Sequence, residues 1–404
     1  MLALLAGLGL GFGAGVAAAA PATATATVTA TATVSASTAP QPLDRALHEQ
    51  IIAIPAGPAL DVSLETTVFK PDGPGPFPLL IINHGKQGGD PHLQARDRFV
   101  YMASAFVRRG YAVLVPMRSG YAQSTGRYRD FGCDMGANGE AQAADIADVI
   151  RYARAQRWID ADRIVVAGQS YGGLASVALA ARGMAGVRGV LNFAGGLRLD
   201  DDDDCDWQAA LVQAYARYGA AASVPSLWFY GANDSYFSPA LAQRMWQAYQ
   251  RGGGRASLVA YGPFKRDAHV MLASRDGVPV WLPRTERFLR SIGMPTRVVN
   301  VIPEPPAPRA SHFAVLDDIN AVPYLSDSGR AAYRSFLQRG TPRAFAVSPS
   351  GAWGWAEEGE DPNRRALDVC QDGSAQACRL YSVDDSVVWS PQRERKEMTS
   401  GRTE

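Results

Sequence analysis

Between residues 50 and 293, short apolar runs alternate with longer stretches whose apolar side chains return every three or four positions. The runs 77–83 (FPLLIIN), 111–116 (YAVLVP), 163–167 (RIVVA), 187–193 and 227–230 are continuous, not alternating. That pattern predicts strands covered on both faces, as in a parallel sheet, with 257–261 as the last of them. Phe99, Met102, Phe106 and Val107 share one helical face before Gly110, and Ile146, Val149, Ile150 and Ala153 share another. Further helices are predicted over 171–182, 240–250 and 280–292. Strand–helix alternation predicts an α/β fold with parallel pairing and helices on both faces, opened by antiparallel strands over 51–54 and 60–68.

The chain ends read differently. Residues 1–20 carry no charge and finish in small residues, which predicts a secretory signal removed near Ala18–Ala20, or else an uncleaved membrane anchor. Residues 21–43 are Ala/Thr-rich with no apolar face to bury, a disordered spacer. The main α/β domain is predicted over 44–296 and a stiff Pro-rich linker over 297–310. Over 311–392 the patterns of helix (328–339), hairpin (344–356), helix (363–371) and strand (378–383) predict a small α+β module, and 393–404 a frayed tail. Trp353, Trp355 and Trp389 form either the core of that module or a binding face whose partner the sequence does not name.

Charge narrows the function classes. Forty basic and thirty-nine acidic side chains leave +1 over 404 residues, no field to draw nucleic acid or an anionic membrane surface. The four cysteines, Cys133, Cys205, Cys370 and Cys378, lack the C-x-x-C spacing of a metal or redox site. Their proximity pairs Cys370 with Cys378, leaving Cys133 to bridge Cys205 across the mouth of the sheet; free thiols are the alternative. The run Asp200–Asp204 is a solvated loop, a calcium site, or a selector of cationic substrate. That insert (196–224) and the loop 119–140 are expected to wall the substrate pocket.

Candidate chemistry centres on Gly168-Gln-Ser-Tyr-Gly172, placed between a buried strand and a helix. This is a nucleophile elbow: a sharp turn exposes the Ser170 hydroxyl, and glycines two residues away let backbone pass where a Cβ would not fit. A serine hydroxyl needs a base. Of the five histidines (His48, His84, His92, His269, His312) only His269 follows the last strand, as the chain order serine, acid, histidine requires. Asp234, after strand 227–230, is the candidate acid, with Asp267 as rival. Backbone N–H groups of Tyr171 and Lys86 are the candidate oxyanion donors. Such a set needs no metal and no organic cofactor.

These residues carry a resemblance. Residues 50–293 resemble an α/β-hydrolase of the dienelactone-hydrolase-like group, and Gly168–Gly173 (GQSYGG) is similar to the elbow of prolyl-oligopeptidase relatives. Residues 109–124 (RGYAVLVPMRSGYAQS) resemble the family's strand and arginine-glycine turn. Dienelactone hydrolases proper place cysteine at the elbow, where this chain has Ser170. The resemblance implies a serine hydrolase acting on a small ester or related acyl substrate, and the N-terminal apolar segment with the four cysteines predicts that it is exported, periplasmic or secreted. The alternatives are a serine peptidase and a non-catalytic cell-envelope binding protein.

Overall fold

The computed structural model describes residues 43–199, 205–303 and 307–391, all within one compact unit. The readings of 1–20, of most of 21–43, of Asp200–Asp204 and of the tail from 392 lie outside the described residues. In chain order the elements are β1 (Gln50–Ala56), β2 (Val62–Phe69), β3 (Phe77–Asn83), α1 (Val100–Val107), β4 (Ala112–Pro116), α2 (Met135–Arg154), β5 (Ile159–Gln169) and α3 (Tyr171–Ala180). They continue with β6 (Val187–Phe193), α4 (Trp207–Ala221), β7 (Ser226–Gly231), α5 (Pro239–Arg251), β8 (Ala256–Tyr261) and α6 (Val278–Ser291). After residue 300 come α7 (Asp327–Leu337), β9 (Arg343–Val347), β10 (Trp353–Glu357), α8 (Pro362–Asp372), β11 (Arg379–Val383) and β12 (Ser386–Val387).

The large sheet has eight strands in the order β1-β2-β4-β3-β5-β6-β7-β8. β1 and β2 run antiparallel to their neighbours and the rest are parallel, as the continuous apolar runs require. One face packs on α2 to α5, through Ile146, Leu174, Tyr215, Met245 and the fully buried Trp228. The other packs on α1 and α6, through Met102, Phe106, Trp281 and Leu289. Each such side chain contributes roughly 1.5–3 kcal/mol by leaving water. In this register Asn83 lies beside Gly168, and Gln169 beside Phe193. The loops after β3, β5, β7 and β8 therefore leave one edge, and they carry every candidate site residue.

The fold is that of an α/β-hydrolase, followed by the small module. The module's four-stranded antiparallel sheet, β10-β9-β11-β12, has its own core of Tyr333, Phe336, Phe345, Tyr381 and Trp389, with Trp353 and Trp355 half-buried against it. α8 covers its other face, and Cys370–Cys378 ties α8 to the start of β11.

Three local readings change. The insert after β6 is not all loop: Asp206 caps α4 by accepting from Ala209 N–H at 2.9 Å, and Leu211, Ala214, Tyr215 and Tyr218 form its buried face. His92, where the sequence predicts the start of a helix, sits instead in a single 3-10 turn. The start of the linker is bound to the domain, because Val299 and Asn300 donate backbone N–H to the Arg108 carbonyl at 2.8 and 3.0 Å.

Candidate active site

Ser170 stands between β5 and α3 with φ 55° and ψ −123°. A serine at positive φ costs about 1–3 kcal/mol, so its surroundings must hold it there. Ser170 N–H donates to the Phe193 carbonyl at 3.0 Å, while its own carbonyl accepts from Gly173 and Leu174 at 2.8 and 3.1 Å. The flanking glycines are a packing requirement. A Cβ on Gly172 would lie 2.1 Å from the Asn83 oxygen, and one on Gly168 the same distance from the Gly172 oxygen. Tyr171 opens the first turn of α3, where a backbone N–H has no intrahelical partner and the helix dipole favours negative charge.

Asp234 follows β7 and is buried. Its Oδ1 accepts from Tyr236 and Phe237 N–H at 2.9 Å each, and its Oδ2 lies 3.2 Å from His269 Nδ1. The rival Asp267 faces elsewhere. It accepts from Ser235 Oγ at 2.6 Å and from His269 N–H at 2.9 Å, and so shapes the loop without reaching the ring. Partial burial raises the Asp267 pKa, but the bonds from Ser235 and His269 outweigh it and hold the carboxyl below its usual range. Gln169, beside Ser170, donates from Nε2 to the His269 carbonyl at 2.6 Å. The imidazole also packs on the Tyr236 and Phe237 rings, at 4.4 and 5.7 Å between centroids. Among the described residues no hydrogen bond joins Ser170 Oγ to His269, a contact that in such sites often tightens only with substrate.

On the other side of Ser170 runs the turn after β3. A Cβ on Gly85 would lie 3.3 Å from Ser170 Cβ, so backbone here passes directly over the Ser170 side chain. This turn is pinned by His84, a residue the sequence reading passed over. His84 is fully buried, donates from Nδ1 to the Gly85 carbonyl at 2.6 Å and accepts at Nε2 from Arg118 N–H at 3.0 Å. Those two partners set its tautomer. Burial and the Arg118 cation hold it well below the usual histidine range, so it is neutral. Gln94 supports the same turn, accepting from Gln87 N–H at 3.0 Å. Lys86 has its ammonium 5.6 Å from the Tyr128 ring centre, pointing its side chain along the wall of the mouth.

The mouth is aromatic. Trp207 packs on Phe237 at 6.5 Å, and Cys133–Cys205 ties the loop before α2 to the start of α4, as the cysteine spacing predicts. Among the described residues no group of acidic, histidine or cysteine side chains could hold a metal ion. Tyr236 and Phe237 had a sequence signal, two aromatics directly after the Asp234 turn. His84 had one too, a His-Gly pair closing a buried strand.

The sequence model of the X-Pro dipeptidyl-peptidase (S15) family matches residues 61–203, a stretch that includes the elbow but not Asp234 or His269. No curated protein matches the sequence. Among solved structures, a dienelactone hydrolase assigned as putative from Klebsiella pneumoniae is 18% identical, with TM-score 0.43, covering 61% of this chain and 98% of that one. An esterase of Pyrococcus furiosus is 12% identical, with TM-score 0.46, covering 63% of this chain and 96% of its own. A dipeptidyl aminopeptidase IV assigned as putative from Bacteroides ovatus is 16% identical, with TM-score 0.46, and the match takes in 60% of this chain but 35% of that one. The strand order and the elbow between β5 and α3 are those of the α/β-hydrolase fold, with serine at the elbow position.

Proposed function

We propose that the protein is a serine hydrolase that cleaves a carboxylic ester or related acyl bond through an acyl-enzyme on Ser170. The observation that carries this is the Asp234–His269 pair, 3.2 Å apart and gripped from the elbow itself by Gln169. In this reading His269 Nε2 takes the Ser170 proton as Oγ attacks the acyl carbon, and Asp234 steadies the imidazolium. The N–H groups of Tyr171 and Lys86 stabilise the oxyanion. As the tetrahedral species collapses, the leaving group takes the proton from His269, and water then repeats the sequence to free the acid. Two disulfides support an oxidising compartment, and we read the protein as exported. No helix among the described residues is long and apolar enough to cross a membrane.

A peptidase is the second reading, favoured by the S15 family match over 61–203. Fluorophosphonate labelling tests the shared chemistry: wild type should label, Ser170→Ala should not, and turnover should fall by about 10⁴-fold or more. A folded wild type that does not label overturns the catalytic reading. A panel of p-nitrophenyl esters and aminoacyl-prolyl arylamides then separates esterase from peptidase.

A further inference from the structure

The small module is not a free appendage. Its acidic run Glu357–Asp361 (EEGED) touches two elements that flank the candidate active site. The first is the loop between β8 and α6, which carries His269. There Lys265, at φ 46°, donates from Nζ to Asp276 at 2.6 Å and also to the backbone carbonyl of Thr341 in the module. Arg266 lies 3.6 Å from Glu357, and Arg275 3.9 Å from Asp384, again in the module. The far side of the same loop is held by Asn233, which accepts from Phe264 N–H at 2.9 Å and donates to the Lys265 carbonyl at 3.1 Å.

The second element is α1. Its N-cap, Phe99, has no side-chain oxygen to satisfy the first N–H groups. Glu360, 261 residues away in the chain, accepts from Phe99 N–H at 3.1 Å and from Val100 N–H at 2.8 Å. Just before α1, Asp97 accepts from Gln94 at 3.0 Å, and Gln94 in turn bonds the Gln87 N–H of the turn over Ser170. One acidic segment thus stands behind both the base loop and the oxyanion turn.

We infer that the C-terminal module is a positioning element of the active site, holding the His269 loop through Lys265 and Arg266 and the oxyanion turn through Glu360 and α1. The inference rests on the reading of His269 and of the turn at Lys86 given above. The charges fit the role. Lys265 and Arg266 are adjacent cations four and three residues before His269, and they meet an acidic run from a separate sheet. Removing the Lys265 ammonium breaks both Nζ bonds, to Asp276 and to Thr341, and leaves Asn233 and the neighbouring Arg266–Glu357 pair to hold this strained stretch of backbone. A shift of about 1 Å at a general base can cost on the order of 100-fold in rate.

Lys265→Met, Lys265→Arg and Arg266→Ala in the full chain test it, with ester turnover, the pH profile of kcat/KM, fluorophosphonate labelling rate and thermal unfolding measured together. Lys265→Met should lower kcat and the labelling rate by about 10- to 100-fold, with KM within about twofold and a shifted acid limb, because the imidazole has moved against Asp234. Lys265→Arg, which keeps a donor and the charge, should restore most of the rate. If Lys265→Met does not fold, Arg266→Ala, at a more exposed side chain, should still lower kcat by about threefold, a loss near 0.7 kcal/mol in barrier terms. Folded variants with wild-type kcat and acid limb overturn the inference while leaving Ser170 chemistry intact. A wild type that never labels overturns the catalytic reading instead.

Discussion

A buried imidazole between a carbonyl and a backbone N–H serves as a pin, and its protonation state has a thermodynamic signature. His84 stays neutral in the folded protein, whereas an unfolded histidine takes a proton below about pH 6.5. Below that pH the unfolded state binds more protons, so stability from this residue is present above about pH 6.5 and is lost on acidification. His84→Phe removes two hydrogen bonds and should cost about 1–3 kcal/mol at pH 7.5. The gap between variant and wild type should narrow at pH 5, since Phe has no proton to gain. Urea unfolding at both pH values checks this, and the other four histidines cancel in the difference. An equal gap at both values refutes the pin as described.

At the scale of elements, the site depends on how tightly the start of α3 packs on the end of β3. Gly172 faces the Asn83 and His84 carbonyls at 2.1 and 2.4 Å from where a Cβ would be, and both obstacles are backbone. Gly172→Ala should therefore destabilise by roughly 2 kcal/mol or more, through overpacking that no rotamer change relieves. Gly88→Ala, where nothing lies within 4 Å, should stay within about 0.5 kcal/mol. Denaturant midpoints of the two variants make the comparison, and a neutral Gly172→Ala would disprove the close approach. The elements themselves were mostly legible from periodicity. α4 escaped because the aspartate run drew the reading toward a loop, although Leu211, Ala214, Tyr215 and Tyr218 already had helical spacing.

For the whole molecule, Cys133–Cys205 closes 72 residues spanning α2, β5, α3 and β6, and Cys370–Cys378 closes 8. In the chain-entropy account the long loop is worth about 4 kcal/mol and the short one about 2–3. Replacing Cys133 and Cys205 by serine should lower the unfolding midpoint more than replacing Cys370 and Cys378. The first pair should also loosen the Trp207–Phe237 wall beside His269, seen as a raised KM with bulky esters. Equal midpoints for the two double variants would argue against loop closure as the source of the stabilisation.

Continuous apolar runs, helical spacing and the G-x-S-x-G turn are properties of neighbours in the chain, so strands, helices and elbow could be read from the sequence alone, and Ser170, Asp234 and His269 named from it as candidates. Elimination among five histidines was possible because so few compete. Which carboxylate meets the imidazole was decided by the folded loops, which turn Asp234 Oδ2 toward Nδ1 and Asp267 toward Ser235 and the His269 N–H. The pinning of the turn over Ser170 by His84 and Arg118 depends on two strand ends meeting at one edge of the sheet. That Glu360 caps a helix 260 residues before it, and that Thr341 meets Lys265, follows from how two separate sheets dock. No local period encodes such contacts, because each partner taken alone is an ordinary polar residue that water would satisfy equally well.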